Sequence, residues 1–188
     1  GVGGDAGPHE GGGVSRDQTL WEKCVAFHGH ACPGLAIGAR AAEIALELLG
    51  VQAAGDEELV CITENDACGV DGVQVVTGCT VGKGNLLFHN TGKMAFSFYV
   101  RDTGKSVRLV LRDLPRLDRE ARRRFILEAP AEQVYQVKQT ARPLPEKARL
   151  FRSVTCASCG ESVAEDRARL RDGETLCLDC FDGYSRGW

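Results

Sequence analysis

Cys156-x2-Cys159 is followed, after seventeen residues, by Cys177-x2-Cys180. No other feature constrains the folding of this chain as tightly. A Cys-x2-Cys pair in a tight turn aims two sulfurs to one side, and two such turns complete a tetrahedron around one zinc ion. Gly160 supplies the turn after the first pair. The surrounding segment, 153–188, carries few large apolar side chains, so its folding is expected to depend on the metal. Four thiolates leave no open coordination position, which points to architecture or partner docking rather than catalysis. A reactive dithiol is the alternative, and the second pair disfavours it.

Nine cysteines in clustered spacings, an odd number, do not read as a secreted disulfide framework. They imply a reducing, cytoplasmic setting with thiols free to bind metal. With 43% hydrophobic and 26% charged residues the chain is expected to be globular. Its longest apolar runs are broken by Arg40, Glu43 and Glu47, or by Asp71 and Gln74, so no membrane span is expected. A net charge of -3 argues against a generic polyanion binder.

Charge divides the chain: residues 1–100 carry a net of -7, 101–152 a net of +7, and 153–188 a net of -3. We therefore expect a disordered leader at 1–16, a core domain at 17–141, a linker at 142–152 and the zinc module at 153–188. The leader holds seven glycines in its first thirteen residues and lacks the basic and apolar stretches of a signal peptide. His9 within it is given no role. Pro143 and Pro145 stiffen the linker.

Apolar spacing predicts helices over 19–27, with Leu20, Cys24 and Phe27 on one face, and over 33–49, from Pro33 to a stop at Gly50. Another helix is expected over 117–128, ending before Pro130. Residues 70–77 read as helix or strand, with helix favoured and Gly78 closing it. Strands are expected at 59–63, 85–89, 94–100, 107–111 and 133–140, with turns at Gly92 and Gly104. There is no strict βαβ alternation, so the fold class is α+β: a mixed helix/sheet core plus a small C-terminal four-cysteine zinc-finger domain.

The chemistry of the core concentrates in Phe27-His28-Gly29-His30-Ala31-Cys32-Pro33-Gly34. In an extended stretch His28, His30 and Cys32 fall on one side. Cys32 also directly precedes a helix, whose positive end favours thiolate. A packed histidine beside a small buried thiol is the bland alternative, and it suits a lone residue better than three together. Cys68 stands in the same relation to the next helix and is ranked as a further ligand. Cys79, at the far end of that helix, is ranked below it, and Cys24 and Cys61 are read as core. Mixed His/Cys ligation suits zinc first, with iron, nickel or cobalt as alternatives. The run 78–84 fails as a phosphate loop because its glycine spacing is short and Lys83 is followed by Gly84. Lys83, and Asp66 in the loop before Cys68, stand as candidates to contact a small-molecule ligand. Arg122-Arg123-Arg124 is read as a solvated helix face rather than a nucleic-acid contact.

Three motifs together resemble the FmdE family, the E-type component of formylmethanofuran dehydrogenase, over about residues 17–140. They are Phe27-His28-Gly29-His30-x-Cys32-Pro33-Gly34, Asn65-Asp66-x-Cys68-x2-Asp71-x2-Gln74 and Thr77-Gly78-Cys79-Thr80-x-Gly82-Lys83-Gly84-Asn85, with Gly92-Lys93-x-Ala95-Phe96 matching beyond them. The terminal module resembles a treble-clef zinc finger. The resemblance implies an α+β core, a homodimer, and a metal or ligand site built from His28, His30, Cys32, Cys68 and Cys79. That family is named for one component of a molybdenum or tungsten enzyme whose pterin-bound redox centre sits in other subunits. The chain alone is therefore not expected to oxidise a formyl group. The expected function is metal binding, with one structural zinc and a second transition metal in the core. An accessory or regulatory partner of molybdenum or tungsten enzyme subunits is the alternative, and a zinc-finger nucleic-acid regulator ranks third.

Overall fold

The computed structural model describes residues 19–186; the expected leader at 1–16, with His9, lies outside the described residues. The chain divides into two compact units between Lys147 and Ala148, inside the segment read as a linker.

In the first unit, Thr19 opens α1 (Leu20–His28) with a capping box, its side chain accepting the Glu22 N–H while Glu22 accepts the Thr19 N–H. Then follow α2 (Pro33–Leu49), β1 (Leu59–Thr63), α3 (Gly69–Thr77), β2 (Leu86–Phe88), β3 (Ala95–Val100), β4 (Ser106–Leu111), α4 (Arg119–Glu128), α5 (Ala131–Val134) and β5 (Tyr135–Lys138). The strands form one mixed sheet in the order β2-β1-β3-β4-β5. β1 and β2 run parallel, with Cys61 opposite Leu86, and the other neighbours are antiparallel. All five residues of β1 are buried because both faces of the sheet are covered. The helices pack on one face. On the other, Val60, Ile62 and Tyr99 form a smaller cluster. The Tyr99 hydroxyl there donates to the Arg142 carbonyl at 2.9 Å, and Arg101 donates to the Pro145 carbonyl at 2.7 Å. The first half of the expected linker is thereby tied to the core.

Helices α2 and α3 meet backbone to backbone. A Cβ on Gly38 would lie 1.6 Å from the Gly69 carbonyl oxygen, and one on Gly72 2.6 Å from the Ala39 nitrogen. Only glycine permits this approach, and it sets the N-terminal ends of both helices side by side.

Three expectations are corrected. In α1 only Cys24 is buried, while Leu20 and Phe27 are exposed, because this short helix rests on α3 along one edge. The Asp118 side chain accepts the Ala121 N–H at 2.8 Å and so starts α4 at Arg119 rather than 117. The strand expected from 133 begins at Tyr135, because the chain first makes the helical turn α5 after Pro130. That turn carries the buried Tyr135 hydroxyl to the Ile37 carbonyl of α2.

The second unit consists of two hairpins, β6 (Ser153–Thr155) with β7 (Ser162–Ala164) and β8 (Arg169–Arg171) with β9 (Glu174–Leu176). Its buried cluster is small: Cys156, Leu176 and Cys177, with Val163, Cys180 and Phe181 against them. No helix among the described residues is long and apolar enough to cross a membrane.

Candidate metal centres

In the second unit, the sulfurs of Cys156, Cys159, Cys177 and Cys180 all lie within 4.8 Å of one another. The first knuckle closes through the Gly160 N–H donating to the Cys156 carbonyl at 2.9 Å, with Gly160 at φ +77, a conformation glycine adopts freely. Backbone N–H groups of Cys159 and Cys177 hold the Cys156 thiol down at about 6. Four soft donors gathered in a module with little apolar core fit zinc.

In the core, His28, His30 and Cys32 bring their ligand atoms within the same 4.8 Å. The grouping is local. His28 ends α1, Gly29 reverses the chain at φ +102, and Cys32 caps α2 with its sulfur accepting the Leu35 N–H at 3.3 Å. The His28 and His30 ring centroids are 4.6 Å apart. Across the cluster, Asp71 of α3 places Oδ2 2.6 Å from His28 Nδ1, and His28 Nε2 faces Cys32 Sγ at 3.9 Å. A carboxylate on Nδ1 keeps the imidazole proton there and leaves the Nε2 lone pair directed at Cys32. A tetrahedral zinc holding nitrogen at ~2.0–2.1 Å and sulfur at ~2.3 Å separates the two donors by about 3.6 Å. The observed gap closes to this value with a shift of a few tenths of an ångström.

Cys68 directly precedes α3 and lies beside Cys32. The two sulfurs stand 3.6 and 3.9 Å from the point that a Cβ on Gly34 would occupy. Burial, and then the adjacent Cys32 sulfur, push the Cys68 thiol up. Cys68 is not part of the three-residue group.

Cys79 is not brought to this group. It sits beyond the opposite end of the nine-residue α3, its sulfur donating to the Leu59 carbonyl at 3.4 Å, and burial pushes its thiol up to about 11. Cys61 is likewise fully buried, so both belong to the core. The Lys83 ammonium donates to the Gly78 and Ala54 carbonyls, where it neutralises the C-terminal end of α3. Asp66 is exposed and lines a cleft of about 390 Å³ with His28, Cys68, Asp71, Gln74, Val81 and Phe88. Arg123 and Arg124 lie about one turn from Glu120, at 4.0 and 3.9 Å, as a solvated face would.

Asp71 and Gln74 received no role from the sequence. The available signal was spacing: Asp71 follows Cys68 by three residues and Gln74 follows by three more, placing all three along one side of a helix.

Comparison with known proteins agrees with the fold and with the four-cysteine centre. The family model described as "FmdE, Molybdenum formylmethanofuran dehydrogenase operon" matches residues 27–154, and that of the prokaryotic dksA/traR C4-type zinc finger matches 149–186. A protein of Archaeoglobus fulgidus named a probable S-adenosyl-L-methionine-binding protein is 32% identical over 84% of this chain and 51% of its own length. The chain thus spans about half of that relative. The crystal structure of a tungsten formylmethanofuran dehydrogenase FmdE-like protein from Syntrophus aciditrophicus is similar, with a TM-score of 0.60 and 29% identity. That match covers 85% of this chain and 88% of the other.

Proposed function

We propose, from the premise that this chain belongs to the FmdE family, that its core binds a second transition metal beside the structural zinc of its terminal module. The core ion is zinc in the first instance, held by His28 Nε2, His30 and Cys32. The observation that carries this reading is the alignment Asp71–His28–Cys32, in which a carboxylate fixes the imidazole so that its free nitrogen faces a thiol.

Each residue then has a task. Asp71 orients His28, and the Leu35 N–H steadies the Cys32 sulfur. Val81 and Phe88 contribute apolar surface to the cleft and Asp66 and Gln74 polar groups, so it offers a ligand both kinds of contact. A three-ligand ion supplies a Lewis-acid position to the molecule bound beside it. Among the described residues no Lys or Arg side chain lines the cleft, and Asp66 and Asp71 suit a ligand carrying positive charge. The sulfonium of S-adenosyl-L-methionine, named for the archaeal relative, is one such group to try.

From the operon for which the family is named we take an accessory role toward molybdenum or tungsten enzyme subunits; a cytoplasmic setting and a second copy of this chain as partner complete the proposal. Elemental analysis of the full chain tests the metal reading. Two ions per chain are expected, falling to one in the double variant His30→Ala, Cys32→Ser. Equal metal content in variant and wild type would refute it.

A further inference from the structure

Cys68 has no task in the three-ligand reading, yet it is the half-exposed thiol of the cleft and the neighbour of Cys32. We propose that Cys32 and Cys68 are a redox-active pair that closes into a disulfide on reaction with a hydroperoxide, and that closure withdraws Cys32 from the core metal. The second clause rests on the core-metal reading above; the first does not.

The placement follows from the packing of α2 on α3. Cys32 caps one helix and Cys68 precedes the other, and the glycine contact brings these two ends together. Gly34 adjoins both thiols. A Cβ there would lie 3.2 Å from the Cys68 Cβ, 3.6 Å from its sulfur and 3.9 Å from the Cys32 sulfur. Glycine therefore leaves open the space through which the sulfurs approach one another. A disulfide needs its Cβ atoms about 3.5–4.5 Å apart, so closure requires the two helix ends to bring Cys32 and Cys68 to that separation.

Access assigns the order of events. Cys68 lines the cleft, whereas Cys32 is 4% exposed. The Cys68 sulfur, giving up its thiol proton as it reacts, attacks one peroxide oxygen, and the O–O bond breaks. Cys68 becomes a sulfenic acid, and the second oxygen leaves as water or an alcohol, carrying the proton from the Cys68 thiol. The Cys32 sulfur then attacks the Cys68 sulfur. The S–O bond breaks, the S–S bond forms, and the oxygen leaves as water, taking the proton of the Cys32 thiol in metal-free protein or a solvent proton where Cys32 is a metal-bound thiolate and its bond to the metal breaks. Two electrons pass from the pair of sulfurs to the peroxide. Cys24, Cys61 and Cys79 are fully buried and line no part of this cleft, so they serve as unreactive internal references.

The test treats the full, metal-loaded chain with hydrogen peroxide, alkylates the remaining thiols under denaturing conditions and maps linked peptides by mass spectrometry. Released metal is followed with a chromogenic chelator. We expect a Cys32–Cys68 link that dithiothreitol reverses, formed in step with loss of the core ion, and we expect Cys68→Ser to abolish the link and retain that ion. Oxidation of Cys68 to sulfinic acid with no link to Cys32 would overturn the pair, as would links confined to the four terminal cysteines. If the link forms in protein holding only the terminal zinc, the pair stands and the core-metal reading falls. If the core holds metal and no link forms, the pair falls alone. Equal core release from Cys68→Ser and wild type would overturn the coupling.

Discussion

Replacing Asp71 with asparagine tests the core site through a residue that touches no metal. Asp71 Oδ2 lies 2.6 Å from His28 Nδ1, the distance of a charge-assisted hydrogen bond. Asparagine keeps the shape, but its amide donates as readily as it accepts. It therefore permits the opposite tautomer, with the proton on Nε2 where the metal should be. Loss of such a supporting partner lowers metal affinity by about 10–100-fold. The carboxylate is 35% exposed against 12% for the imidazole, so water replaces part of what is lost. We place Asp71→Asn at the lower end, about tenfold, or ~1.4 kcal/mol. The assay is competition with chelators of graded affinity on the full chain, where the terminal four-cysteine zinc is an internal reference. Weakening confined to the core ion is the expected result. Unchanged core affinity would refute the orienting role, and equal weakening at both sites would mean general unfolding. Gln74 reaches Asp71 Oδ1 only at 3.5 Å, so Gln74→Ala should do less than Asp71→Asn.

Three further outcomes follow from the packing. Gly38→Ala would set a Cβ against the Gly69 backbone, which cannot rotate aside, so it should cost at least ~3 kcal/mol in denaturant unfolding. Gly82→Ala, with nothing within 4 Å of its Cβ, is the matched control, and equal stability of the two variants would refute the helix contact. Glu64 is buried and its carboxylate takes the Arg108 Nε–H at 2.7 Å, which together with the Thr91 hydroxyl holds the carboxyl below its usual range. Glu64→Gln should then cost about 3 kcal/mol at neutral pH by leaving Arg108 without its partner. A depressed carboxyl stabilises the fold above its unfolded value of about 4.3 and loses that contribution as pH falls through the folded value. The gap between wild type and Glu64→Gln should therefore narrow below about pH 4, and a gap independent of pH would contradict the pairing. Cys156→Ser should lose one zinc per chain and the amide-exchange protection of 153–176, with β1 still protected; retained protection of both hairpins would show that they fold without the ion.

What the sequence made legible was local. Helix α2 runs from Pro33 to Leu49 as its proline, apolar spacing and Gly50 indicate, and β1 occupies the apolar run 59–63. The His28–Cys32 cluster and the four terminal cysteines were legible because their ligands lie within a few residues of one another or repeat a fixed spacing. What escaped depends on chain segments far apart. Asp71 reaches His28 across 43 positions. Lys83 folds back onto the end of α3, an outcome that a glycine-rich loop permits without announcing. The buried face of α1 follows from which side α3 leaves uncovered, and the late start of β5 from the reach of Tyr135 into α2.

The same long-range packing decides where chemistry is possible at all. Gly38 and Gly72, as helix-interior glycines, each cost about 0.5–1 kcal/mol relative to alanine. Together with Gly69 they allow a backbone approach that a methyl group at any of these positions would block. With the helices in contact, Asp71, in the first turn of α3, reaches the imidazole that ends α1, and Cys68 lies by the sulfur that caps α2. Widening the contact by the thickness of a methyl group would take the carboxylate out of hydrogen-bond range and separate the two thiols. Metal affinity and thiol pairing should therefore fail together when the helix contact is opened, and separately when Asp71 or Cys68 alone is changed.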